Sequence, residues 1–142
     1  MIHGQCLCGK VTYQIDVPDD HLGETNYCYC NECRRANGTA FSANVAVPAS
    51  SYMLLTGQEL ITEYESSPGN HRAFCSACGS PVHGKKGSDP DHTRVRLGGL
   101  DNAAKVKPNS HAWTSEKPAW YNIEGYLKRF KQAADGTGGT PT

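Results

Sequence analysis

Apolar and polar residues alternate only in short bursts along this chain, and no burst is long enough to sustain a helical period. Val11-Thr12-Tyr13-Gln14-Ile15 alternates, as does Thr93 to Leu97, which ends at Gly98-Gly99. Phe41 to Val47, Tyr52 to Leu55, Leu60 to Tyr64 and His71 to Phe74 are further strand candidates. Pro48, Ser50-Ser51 and Gly57 separate several of them. Each has the length and boundary signals of a strand. Helical signal is confined to Glu32 to Asn37, where Gly38 supplies a stop, and to Ile123 to Lys131, which reads equally as a short helix or an extended segment. The pattern predicts a mainly β protein of short strands over residues 1–131. Residues 132–142, ending Asp-Gly-Thr-Gly-Gly-Thr-Pro-Thr, are expected to form a disordered tail.

With 142 residues and a 37% hydrophobic fraction, one domain with a modest core is expected, and such a core gains from cross-links. Lysine plus arginine and aspartate plus glutamate balance at 14 each, so net charge points to neither nucleic acid nor an acidic membrane surface. Lys105 to Lys107 is a small solvated basic run. No apolar stretch approaches membrane-spanning length.

The cross-links are legible in the seven cysteines, which cluster as Cys6-Leu7-Cys8-Gly9, Cys28-Tyr29-Cys30-Asn31-Glu32-Cys33 and Cys75-Ser76-Ala77-Cys78-Gly79. Pairs one or two residues apart present thiolates to a tetrahedral metal, zinc by default. A disulfide scaffold is the competing reading. An odd cysteine count, the strain of C-x-C rings and a start, Met1-Ile2-His3-Gly4-Gln5, without a charged and then apolar leader all oppose it, and favour reduced thiols in the cytoplasm.

Cys6, Cys8, Cys75 and Cys78 make a closed, structural four-sulfur set. Gly9 and Gly79 follow each pair, where the chain must turn tightly and a glycine can adopt positive φ without a Cβ clash. Cys28, Cys30 and Cys33 bring three ligands and leave a fourth position open for chemistry. A zinc held by three thiolates carries a net charge of about −1. It suits activation of an incoming thiol better than generation of hydroxide. Arg34 and Arg35 follow directly, to offset that charge or to fork onto a ligand carboxylate. Other divisions remain open at this level. They are a redox dithiol at Cys30-x-x-Cys33, an iron–sulfur cluster on the triplet, or a zinc ribbon of Cys30, Cys33, Cys75 and Cys78 with Cys6, Cys8 and Cys28 spare.

The ordered motifs resemble the glutathione-dependent formaldehyde-activating enzyme family, which also contains the centromere protein V type of domain. They are Gly4-Gln5-Cys6-Leu7-Cys8-Gly9-Lys10-Val11-Thr12-Tyr13, Cys28 to Arg35 with Gly38, Arg72-Ala73-Phe74-Cys75-Ser76-Ala77-Cys78-Gly79-Ser80-Pro81, Gly98-Gly99-Leu100-Asp101, and His111-Ala112-Trp113 with Trp120. The resemblance implies a small curved-sheet "β-tent" fold and a structural zinc on the C-x-C and C-x-x-C pairs. It also implies a second zinc on the triplet, with an open position. The implied activity joins formaldehyde to glutathione as S-hydroxymethylglutathione, formally a carbon–sulfur lyase reaction. Glutathione or a related thiol and a small aldehyde are thus the expected partners. Members commonly carry His between the first two triplet cysteines, where this chain has Tyr29. A non-catalytic zinc module for a macromolecular partner is the alternative.

Among the remaining residues, His111 is a candidate proton carrier, although a hydrogen-bonded structural histidine is the preferred reading. His71, His83 and His92 are expected at the surface. Trp113, Trp120 and Tyr121 are expected to pack over the sheet as core more readily than as the wall of a cleft.

Overall fold

In a computed structural model the chain is described over residues 1–18, 22–102 and 104–133. Most of the expected tail, from residue 134, lies outside the described residues. Gln132 lies within them, and its carbonyl accepts a hydrogen bond from the Trp113 amide at 2.7 Å.

The molecule is mainly β, as its pattern predicts. A three-stranded antiparallel sheet is ordered β1 (Ile2–Gln5), β2 (Thr12–Ile15), β5 (Tyr52–Thr56). The larger sheet has eight strands. β3 (Thr25–Cys28), β4 (Ser42–Pro48), β6 (Ile61–Ser67), β7 (Asn70–Cys75), β8 (Pro81–Lys86), β9 (Asp89–Arg96), β10 (Ser110–Ala112) and β11 (Lys128–Arg129) are arranged β11-β10-β3-β4-β9-β8-β7-β6. β10 runs parallel to both β3 and β11, and the other pairs are antiparallel. Register shifts interrupt the β6–β7, β7–β8 and β8–β9 ladders, and such irregularities bend a sheet. One short helix, α1 (Asn31–Asn37), leaves the end of β3. No helix among the described residues is long and apolar enough to cross a membrane.

Pairing decides what each face of the large sheet carries, because directly opposed residues share a face. Val45 lies opposite Val95, which lies opposite His83. Val45 and Val95 pack with Val11, Tyr13, Ile15 and Val82 into the main core under the small sheet. The reverse face is polar and nonetheless buried. Asn26 opposes Asn44, Asn44 opposes Arg96, and Cys28 opposes Ser42; all five side chains are buried. A small protein that buries a polar face must satisfy it or use it.

Four strands are missed by the sequence reading, for local reasons. β1 carries His3 and Gly4, β3 is Thr-Asn-Tyr-Cys, β8 starts at Pro81 and contains Gly84, and β10 is only three residues long. Ile123 to Lys131 forms no helix, contributing only the two residues of β11.

Three aromatic and histidine expectations also need correction. His83 is buried rather than exposed; its Nδ1 lies 3.0 Å from the Tyr52 hydroxyl. Trp120 is 71% exposed and forms no part of the core. Tyr121 is half-buried in a ring cluster with Tyr29 and Phe41 that borders a cavity. His71 and His92 are partly exposed beside Glu65 and Asp89.

Candidate metal centres

The first knuckle, between β1 and β2, and the second, between β7 and β8, meet as expected. Sγ of Cys6 lies 3.5 Å from Sγ of Cys8, which lies 3.9 Å from that of Cys75. With Cys78 the four sulfurs all fall within 4.8 Å of one another. Tetrahedral zinc with bonds of about 2.3 Å requires edges of about 3.8 Å, so the donor set fits a closed zinc site. The separations are far beyond a disulfide bond of about 2.05 Å, and all seven thiols are free.

Backbone turns produce this geometry. The Gly9 and Gly79 amides donate to the Cys6 and Cys75 carbonyls at 3.1 and 2.7 Å, and both glycines sit at positive φ, 76° and 78°. The Val11 amide donates to Cys6 Sγ, and the Leu7 amide to the Ser80 hydroxyl at 2.8 Å, stitching one knuckle to the other. Hydrogen bonds from the Ser80 side chain and backbone pull the Cys78 thiol down to about 5. This grouping assigns Cys75 and Cys78 to Cys6 and Cys8, not to a ribbon with Cys30 and Cys33.

Cys28, Cys30 and Cys33 come together where β3 runs into α1, and their three sulfurs likewise lie within 4.8 Å of one another. Cys30 is the N-cap of α1, its Sγ accepting from the Cys33 amide at 3.3 Å, while Gly38 closes the helix in the left-handed region at φ 67°. The capping interaction therefore also orients two of the ligands. All three thiols are buried. Among the described residues no fourth Cys, His, Asp or Glu ligand joins them. Three converging sulfurs with no fourth protein donor fit an open zinc position.

The electrostatics favour anionic sulfur at Cys33, while Cys28 and Cys30 are pushed above the ordinary thiol range, Cys30 by its hydrogen bonds to the other two thiols and by burial. Thiol hydrogen bonds from Cys28 and Cys30, followed by the charges of Arg72 and Arg96, hold Cys33 well below the ordinary thiol range against the opposing effect of burial. Arg72 on β7 points both terminal nitrogens at Cys33 Sγ, each at 3.7 Å, and contacts Glu32 at 3.5 Å. Arg34 bonds Asn31 on its own helix and Arg35 is exposed, while Arg72 on β7 and Arg96 on β9 bring positive charge to Cys33. A sequence signal existed for both. Arg72 precedes the second knuckle by one short strand, and Arg96 lies on the face opposite Val95 in the alternating Thr93 to Leu97 segment.

Trp113 packs against the trio and is the one non-glycine among the described residues at positive φ, 57°. The Tyr29 hydroxyl bonds Nδ1 of His111 at 2.8 Å, behind β3. Since His111 opposes Tyr27 while Ala112 opposes Cys28, the imidazole is on the face away from the sulfurs.

The class defined by this fold and these sites is a small, mainly β domain with one closed and one open thiolate metal-site geometry. A model of the glutathione-dependent formaldehyde-activating enzyme family matches residues 1–116, and the chain belongs to that family. It is 29% identical over 132 residues to a protein of Halomonas elongata named, provisionally, a glutathione-dependent formaldehyde-activating enzyme; the match covers 87% of this chain and 82% of that one. Its fold is similar to the crystal structure of a Rhodobacter sphaeroides protein, with a TM-score of 0.59 and 25% identity over 72% of this chain and 91% of that one.

Proposed function

We propose that the chain binds glutathione or a closely related thiol at Cys28, Cys30 and Cys33 and joins it to formaldehyde, or releases formaldehyde from the adduct, as a carbon–sulfur lyase. The observation that carries this reading is the buried trio of sulfurs without a fourth protein donor, in a chain of this family. Zinc bound there would supply a Lewis-acidic position at which an outside thiol is held as its thiolate. Cys6, Cys8, Cys75 and Cys78 would hold the second, structural zinc.

The chain's own residues set up that chemistry. Arg72 offsets the sulfur charge and, through Glu32, ties β7 to α1. Trp113 covers one side of the trio and restricts water there. In the addition, a C–S bond forms to the carbonyl carbon, the C–O π bond opens, and the proton lost from sulfur ends on the new hydroxyl oxygen. The reverse sequence is the lyase direction. Tyr29 and His111 are bonded to each other on the far face of β3, which supports a positioning role for them and leaves proton movement to solvent at the open side.

Exchange of formaldehyde with glutathione, followed by NMR with zinc-loaded protein and with buffer alone, tests the reading. Acceleration that disappears in Cys30→Ser is expected, and an exchange rate equal to that in buffer sinks it.

A further inference from the structure

Gly84 sits between two arginines. Arg72 on β7 lies opposite Gly84 on β8, and Gly84 lies opposite Arg94 on β9, so the three share the polar face of the large sheet. Arg96, two residues further along β9, is on the same face. Without a side chain at position 84 a gap opens among the guanidiniums; a Cβ there would stand 3.0 Å from Nη2 of Arg96. The gap is a cavity of about 10 Å³, room for one water or one small ion.

The walls of this cavity carry one sign of charge. Arg72, Lys85, Lys86, Arg94 and Arg96 line it, and none of its described lining residues is acidic. Several of these charges are balanced elsewhere. Lys85 opposes His71, faces the reverse side of the sheet and meets Glu63 at 3.2 Å. Arg72 and Arg96 both lend their charge to Cys33. Arg94 is different. Its Nη2 donates to Asp89 at 3.0 Å, but Nη1 is buried with no acceptor among the described residues, on a side chain only 12% exposed. A buried charged donor without an acceptor is costly. The space beside it is too small for a carboxylate or a phosphate. A water would supply an acceptor and no charge, whereas a monatomic anion supplies both.

We propose that the cavity over Gly84 is a halide site, in which one chloride accepts from Nη1 of Arg94 and offsets the charge that Arg72, Arg94 and Arg96 bring to one patch of β7, β8 and β9. The site is separate from both cysteine groups and takes a ligand of a different class from the thiol proposed above.

Bromide, which scatters anomalously, reports position. Crystals of the zinc-loaded protein grown in sodium bromide should show an anomalous peak within hydrogen-bonding reach of Arg94 Nη1. In solution the readout is thermal unfolding of the same protein in sodium chloride and in sodium gluconate at equal ionic strength. Wild type should melt about 4 °C higher in chloride when its concentration is about tenfold above the dissociation constant. Arg94→Gln removes the donor and Gly84→Ala fills the cavity, so both should lose that difference, while Cys30→Ser should keep it. No bromide peak at Arg94 overturns the inference. So does a chloride effect that survives in Arg94→Gln, which marks general salt stabilisation, or one lost in Cys30→Ser, which places the chloride on zinc at the trio. A bromide peak without any chloride effect on wild type is binding at crystal concentration only, and overturns it too. Both wild-type measurements stand even if a variant fails to fold.

Discussion

The Tyr29 hydroxyl and Nδ1 of His111 lie 2.8 Å apart with both side chains buried, one on the loop between two metal-site cysteines and the other on the neighbouring parallel strand. The pair therefore fixes the rotation of the segment that carries Cys28 and Cys30. Burial pushes the Tyr29 phenol above its ordinary range and, with Arg129, pulls the His111 imidazole below its own, so both are neutral near neutrality and share one hydrogen. Tyr29→Phe leaves the histidine nitrogen buried without its partner. It should cost about 1–3 kcal/mol in urea unfolding while zinc content stays that of wild type. A variant as stable as wild type would show that the bond contributes nothing to holding the segment.

The contact between Arg72 and Cys33 predicts a different phenotype. Groups that hydrogen-bond to a metal ligand typically change metal affinity by about 10–100-fold when removed. Arg72→Gln should lower zinc affinity at the trio by at least about tenfold in chelator competition, and more than at the four-cysteine site, since the sulfur it approaches is that of Cys33. Equal weakening of both sites would instead indicate general destabilisation.

Cysteine spacing made both metal-site geometries legible before any coordinates, because ligand pairs one or two residues apart must turn on themselves and glycine marks where they do. The helix stop at Gly38 was legible for the same local reason. The polar face of the large sheet was not. Asn26, Ser42, Asn44 and Arg96 are scattered over about half the chain and become neighbours only through the β3–β4–β9 register, which no single-sequence periodicity reveals. Arg34 and Arg35 stand out through adjacency along the chain, whereas Arg72, which approaches Cys33 Sγ from a strand far away in sequence, gives no such signal. His83 was misread since a histidine inside a strand starting at proline gives no sign of burial.

The division of sulfur predicts unequal consequences for two conservative substitutions. Wild type purified without chelator should carry two zinc ions per chain by elemental analysis. Cys30→Ser should carry one and remain folded, since the four-cysteine site still clamps β1–β2 to β7–β8. Cys75→Ser should lose the clamp and with it much of the stability, because metal binding at a closed site contributes directly to folding free energy. The ordering of the two variants in thermal unfolding is the readout; a Cys30→Ser protein less stable than Cys75→Ser would reverse the assignment of structural and open sites.

Acid provides the last test, through a histidine that belongs to neither cysteine group. His83 is buried against the Tyr52 ring, and burial, assisted by Lys85, pulls its pKa from 6.5 to about 4. In the unfolded chain the imidazole protonates below about 6.5, whereas in the fold it stays neutral until about pH 4. Its contribution to stability is therefore complete above pH 6.5 and is lost progressively as pH falls toward 4, by about 3 kcal/mol in total. Acid also competes for the thiolates, but that effect is common to wild type and His83→Gln. The difference between their urea-unfolding free energies at pH 7, 6 and 5 isolates the histidine. Wild type should lose stability more steeply than His83→Gln across this range, and parallel curves would mean that the imidazole protonates as readily inside the fold as outside it.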